Sequence, residues 1–165
     1  MTENFIQLKK NNILKIGIRD ANGVDTGEHF EFDMEDIEFP LKLQEMQLKH
    51  KRNLQNARNQ FLILEKKEDK KGKFLLSWKE EQEQKIVKEF YEKEMETFDI
   101  ILGENGTKKF LNGRKPYYSM YEDINEMLDQ ISPLFENTTQ NIINKIKSKY
   151  NTEETDVLKW KIQNM

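Results

Sequence analysis

Two long stretches of three- and four-residue apolar spacing, joined by a short charged run, limit what this chain can fold into more than any other feature. In the first, Met46, Leu54, Ala57, Phe61 and Leu64 recur at helical steps, with His50 filling a seam position. In the second, Trp78, Ile86, Phe90, Tyr91, Phe98 and Ile101 do the same, to about Leu102. Ser77 followed by Glu80 has the spacing of a capping box and fixes where the second helix begins. Pro40 suits the first turn of the first helix, where its missing N–H has no partner in any case, or divides a short helix from the long one. Lys66 to Lys73, around Gly72, reads as a solvated turn. So short a connection folds the two helices back on one another as an antiparallel pair, and the aromatic stripe of the second is expected in the core.

Upstream, the β-branched run Ile13, Leu14, Ile16 and Ile18 precedes the turn residues of Asp20-Ala-Asn22-Gly23, after which Phe30 and Phe32 alternate with polar neighbours. This is a β-hairpin signature with Asn22-Gly23 near the turn. A lone hairpin is marginal in water, so it must pack on helices or pair with another chain. Downstream, Tyr121, Ile124, Leu128 and Ile131 predict a helix stopped by Ser132-Pro133, and Leu134, Phe135, Ile142, Ile143 and Ile146 predict a further one. From Asn151 the chain is polar apart from Val157, Leu158, Trp160 and Ile162, which suits either a frayed end or a short docking segment. The expectation is a mainly α fold forming one structural domain. It comprises an N-terminal β-hairpin (1–33), a helical body (34–150) with an antiparallel pair of long helices and shorter C-terminal helices, and a polar tail (151–165).

Among the 165 residues, 36% are hydrophobic and 35% charged, which suits exposed amphipathic helices and disfavours a multilayer α/β enzyme. With no cysteine the chain has no thiolate nucleophile, disulfide or Cys-based metal site, and His29 and His50 have no second ligand at a useful spacing. The many carboxylates lie in charged surroundings that suggest solvent, not the apolar pockets that tune catalytic acids. No catalytic motif appears, so the reading is a protein that is not an enzyme and takes no cofactor and no metal. No apolar run approaches the roughly 20 residues of a membrane span, and MTENFIQLKKNN has no signal-peptide core, so the expected location is the cytoplasm.

A net charge of −3 hides blocks of opposite sign. Residues 20–38 hold eight acids and no base, residues 41–75 ten bases and four acids, and residues 76–106 four bases and nine acids. Such alternation favours attraction between elements, within the fold or in a homo-oligomer, and argues only weakly for nucleic acid.

The most particular stretch runs from Phe98 to Pro116, where Gly103, Gly106 and Gly113 stand between helical segments. Lys108, Lys109, Arg114 and Lys115 surround Phe110 and Leu111 there. An ordinary interhelical loop explains it, and so does a binding loop; a phosphate cradle lacks the strand and Lys-Ser/Thr context it requires. The combination of these bases with Tyr117 and Tyr118 also keeps open a nucleic-acid-binding accessory role.

Phe98, Asp99, Leu102, Gly103, Glu104, Gly106 and Thr107 resemble the F-D-x-x-φ-G-E-G-T stretch of the tail assembly chaperones of long-tailed phages that infect Gram-positive bacteria, with Asn105 as an insertion. In that family a Phe-Gly pair follows; here it is opened into Phe110-Leu111-Asn112-Gly113. Glu31-Phe32-Asp33 and the helix after it match in kind. The resemblance covers about a third of the chain. It implies a non-catalytic factor in the bacterial host cytoplasm that binds the tape measure protein, recruits tail-tube protein and is absent from the finished virion. On this reading Lys108, Lys109, Phe110, Leu111, Arg114 and Tyr117 are the expected partner-binding residues. A phage structural adaptor is the other alternative.

Overall fold

Residues 3–8 and 12–164 are described by the computed structural model, with the backbone alone over 150–157. Two strands, β1 (Ile13–Arg19) and β2 (Asp25–Asp33), precede four helices: α1 (Phe39–Glu65), α2 (Trp78–Leu102), α3 (Gly106–Leu111) and α4 (Met120–Gln163). The protein is therefore mainly helical, with an N-terminal antiparallel hairpin, two long helices and further helices towards the C-terminus.

The hairpin turns where its sequence predicts. Asp20 Oδ1 accepts from the backbone N–H of Asn22 and Val24, both at 2.9 Å, and Gly23 takes the positive φ of 78° that the tight turn demands. The period-two pattern sends Phe30 and Phe32 inward and leaves Glu31 and Asp33 exposed. The hairpin packs on the helices, as a two-stranded sheet must: Phe32 meets Phe39 and Phe135 edge-on, at 6.1 and 6.4 Å between ring centroids.

Pro40 lies at the start of α1, and Lys42 reaches back to Asp36 at 2.8 Å, which holds the Asp36 carboxyl below its ordinary value. Ser77 caps α2 by accepting from the Glu80 N–H at 3.2 Å. α1 and α2 run antiparallel: His50 and Asn53 meet Glu94 near the middle, and Lys79 donates to the Glu65 carbonyl near the tip. α4 runs antiparallel to α1 in turn, from Tyr121 stacked on His50, through Asn125 bonded to Gln47, to Phe135 stacked on Phe39.

The core sits where all of these overlap. It joins Phe30 and Phe32 of the hairpin, Phe39 and Met46 of α1, Phe98 and Ile101 of α2, and a stripe along α4 from Met120 to Phe135. The tip half of the α1–α2 pair extends beyond it at one end, and α4 beyond Phe135 extends at the other.

Two expectations are corrected. Ser132-Pro133 does not stop a helix: Pro133 lies inside α4. An internal proline removes one backbone bond and costs about 3 kcal/mol, but Ile131 and Phe135 are buried on either side of it. Each such burial contributes roughly 1.5–3 kcal/mol and holds the helix through the defect. The stretch assigned to a polar tail also continues α4, to Gln163, with Leu158, Trp160 and Ile162 exposed. The first two residues of the expected 1–33 segment, residues 9–11 within it and Met165 lie outside the described residues. Among the described residues no helix is long and apolar enough to cross a membrane.

Candidate partner-binding site

The glycine-rich connection is a knot that fastens α3 to the end of α2. Asp99 Oδ1 accepts from the backbone N–H of Thr107 at 2.8 Å and from its hydroxyl at 2.7 Å. Thr107 is fully buried, and its hydroxyl also lies 3.1 Å from the Met95 carbonyl. Gly103 ends α2 at φ 89°, its N–H bonded to the Asp99 carbonyl at 3.0 Å. A Cβ on Gly106 would stand 2.4 Å from the Leu102 Cβ, so the two helices can approach this closely only at glycine. The Asp99, Gly103, Gly106 and Thr107 pattern is thus accounted for by packing and capping.

The residues expected to bind a partner are split by this knot. Leu111 is 3% exposed and belongs to the core, which removes it from any contact surface. Its position follows from α3 being one turn and a half long, with its apolar side pressed on α2. Phe110 and Tyr117 are half-buried and pack against the core, whereas Lys108, Lys109 and Arg114 are exposed. The Arg114 guanidinium lies over the Tyr117 ring at 5.5 Å, and Nε donates to the Leu111 carbonyl. Tyr117 donates to Asp123 at 2.7 Å. Burial, then the Asp123 hydrogen bond, pushes the Tyr117 phenol up from 10.0 to about 12.

A raised phenol pKa favours the native state while the phenol is neutral, so its contribution is complete below pH 10.0 and is lost as pH rises to about 12. Tyr117→Phe should remove this part of the alkaline decline in thermal stability. An unchanged melting profile across that window would refute the coupling.

An apolar groove lies elsewhere, on the projecting half of the α1–α2 pair. Leu54, Phe61 and Leu62 of α1 face Val87, Phe90 and Tyr91 of α2 across an open groove of about 360 Å³, and exposed Tyr118 closes one end. Part of the aromatic stripe expected in the core therefore lines this groove. Phe98 and Ile101 are buried, but Phe90 and Tyr91 are only half-buried, because α4 begins beside His50 and, among the described residues, no third element covers the pair beyond it.

At the tip, the connection between α1 and α2 is built, not slack. Asp69 Oδ1 accepts from the N–H groups of Lys70 and Lys79, at 2.8 and 3.0 Å, and these bonds help hold its carboxyl below the ordinary value. Glu81 accepts from the Lys73 N–H, and the Trp78 N–H donates to the Lys70 carbonyl. A Cβ on Gly72 would stand 1.9 Å from the Leu76 carbonyl oxygen, so no other residue fits that bend. The loop displays Phe74 and Leu75, 87% and 85% exposed.

Among the described residues no group of acidic, histidine or cysteine side chains could hold a metal ion. Set against known proteins, the chain matches no family model, no curated protein and no solved structure.

Proposed function

We propose that this protein is a non-catalytic phage or prophage tail assembly chaperone that holds an amphipathic helix of the tape measure protein and assists tail-tube assembly. The observation that carries the reading is the groove between α1 and α2, an apolar trough between two helices left uncovered by the other described residues. Such a trough suits helix-in-groove binding, in which apolar anchors at helical spacing enter between two ridges. Surface of this kind on a soluble chain marks an interaction site more often than it marks waste. The Phe98 to Thr107 resemblance suggests the partner, and an uncovered apolar groove supports a helix as its binding element.

Co-expression with the tape measure protein of the same genome tests this. The two should co-purify, and the partner should become more soluble. Phe61→Asp, which puts a charge in the groove away from the core, should lower recovery about tenfold while far-ultraviolet circular dichroism stays unchanged. Undiminished capture by a folded Phe61→Asp protein would remove the groove from the proposal.

A further inference from the structure

We infer that this chain carries a self-modification site at Asn112-Gly113, where Asn112 loses ammonia through a succinimide, and that the fold selects it over Asn22-Gly23 and Asn105-Gly106. The three pairs share one local chemistry, since a glycine nitrogen has no Cβ beside it to shield it from the preceding carboxamide. The reaction needs no co-reactant but water. The Gly113 nitrogen gives its proton to solvent base and attacks Asn112 Cγ; the N–Cγ bond forms and the carboxamide nitrogen leaves as ammonia. Water then opens the ring at either carbonyl, leaving aspartate or an isoaspartyl link at position 112.

What separates the three is the structure each nitrogen must leave to react. The Gly23 N–H donates to the Asp20 carbonyl at 2.9 Å, and the next N–H, of Val24, to Asp20 Oδ1 at 2.9 Å. The Gly106 N–H donates to the Gly103 carbonyl at 2.9 Å; Gly106 is buried, and moving it also pulls the Thr107 N–H from Asp99. Gly113 is exposed, and among the described residues its N–H meets no acceptor. Asn112, also exposed, stands at φ 48° and ψ 53°, so it must rotate about ψ before the Gly113 nitrogen reaches Cγ. That rotation gives up one backbone bond, from the Arg114 N–H to the Leu111 carbonyl at 3.0 Å. Residues 108–118 hold four bases and no acid, which favours the deprotonated nitrogen. An isoaspartyl link then adds one carbon to the backbone between Leu111 and Arg114, so this turn no longer closes and Arg114 loses its seat over the Tyr117 ring.

The test incubates the intact protein at mildly alkaline pH, with and without urea, and maps its peptides by mass spectrometry, using electron-transfer fragmentation to separate aspartate from isoaspartate. In the folded protein Asn112 should react about tenfold faster than Asn22 or Asn105, because each of those must break at least one further hydrogen bond. In urea the three should react at similar rates, since only their shared local chemistry is left. Equal rates in the folded protein, faster reaction at Asn22 or Asn105, or a preference for Asn112 that persists in urea overturns the inference. So does a folded protein that stays unmodified at Asn112 while urea opens all three sites. Protein aged to the isoaspartyl form should melt below fresh protein, whereas Asn112→Asp, which keeps the normal backbone in a region aspartate tolerates, should melt with it. Unchanged melting of the aged form would reject the effect on the turn.

Discussion

Replacing Glu94 with alanine is expected to lower the unfolding free energy by about 2–5 kcal/mol, the cost of removing an acceptor that two donors share in the α1–α2 interface. Glu94 is 3% exposed, on the side of α2 that faces α1. A carboxylate can only accept, so His50 Nδ1 carries the proton across the 2.6 Å separation between them. Asn53 donates to the other oxygen at 2.8 Å and also lies 3.0 Å from the Thr97 hydroxyl. The His50 ring then stacks on Tyr121 at 3.5 Å, tying α4 to the same cluster. Alanine leaves the half-buried His50 and Asn53 donors without this acceptor, and each unmet donor adds its own desolvation cost. Glu94→Gln retains an acceptor for Asn53 and should cost clearly less. Urea unfolding followed by circular dichroism measures both, and a loss below about 1 kcal/mol for Glu94→Ala would show that the cluster contributes little net stability.

Phe135→Ala should be comparably damaging, at about 3–5 kcal/mol. The Phe135 ring is 1% exposed and lies flat on Phe39, with centroids 3.8 Å apart and planes within 4°. It also meets Phe32 edge-on, so one side chain joins hairpin, α1 and α4. Its position two residues beyond Pro133 gives the substitution a second effect. The proline already removes the bond to the Asp129 carbonyl, and Phe135 is the last core residue of α4. Among the described residues of α4 none beyond Phe135 is buried, so amide exchange after residue 135 should accelerate more than exchange in α2. Phe135→Leu keeps most of the buried volume and should lose far less. Uniform acceleration along the whole chain would count against the local anchor.

Local signals were readable and non-local ones were not. Asn22-Gly23 marks the hairpin and Ser77 with Glu80 marks the start of α2, because turns and caps depend on neighbours within a few residues. Pro133 misleads for the same reason: its helix-breaking tendency is local, whereas the contacts that override it come from Phe39 and Phe32, about a hundred residues upstream. The glycine-rich stretch is conspicuous as sequence, yet Asp99, Gly106 and Thr107 serve the packing of α3 on α2. Of the expected partner-binding residues, Leu111 is core and Lys108, Lys109 and Arg114 remain on the surface. The groove could not be located, because the spacing of Phe90 and Tyr91 is the same whether or not a third helix covers them. The signal within reach was the mismatch between two long amphipathic helices and too few apolar residues downstream to roof their whole length.

With the core between the two projecting ends, reach and stability are written in separate stretches of chain. From Glu136 to Gln163, α4 extends roughly 40 Å past the last core contact, and the α1–α2 pair extends past its own in the other direction. Whole turns of α4 can be gained or lost beyond Glu136 without disturbing the buried core. Descendants of such a chain are free to change length quickly beyond Glu136, whereas the α1–α2 projection carries the proposed groove and should hold its length.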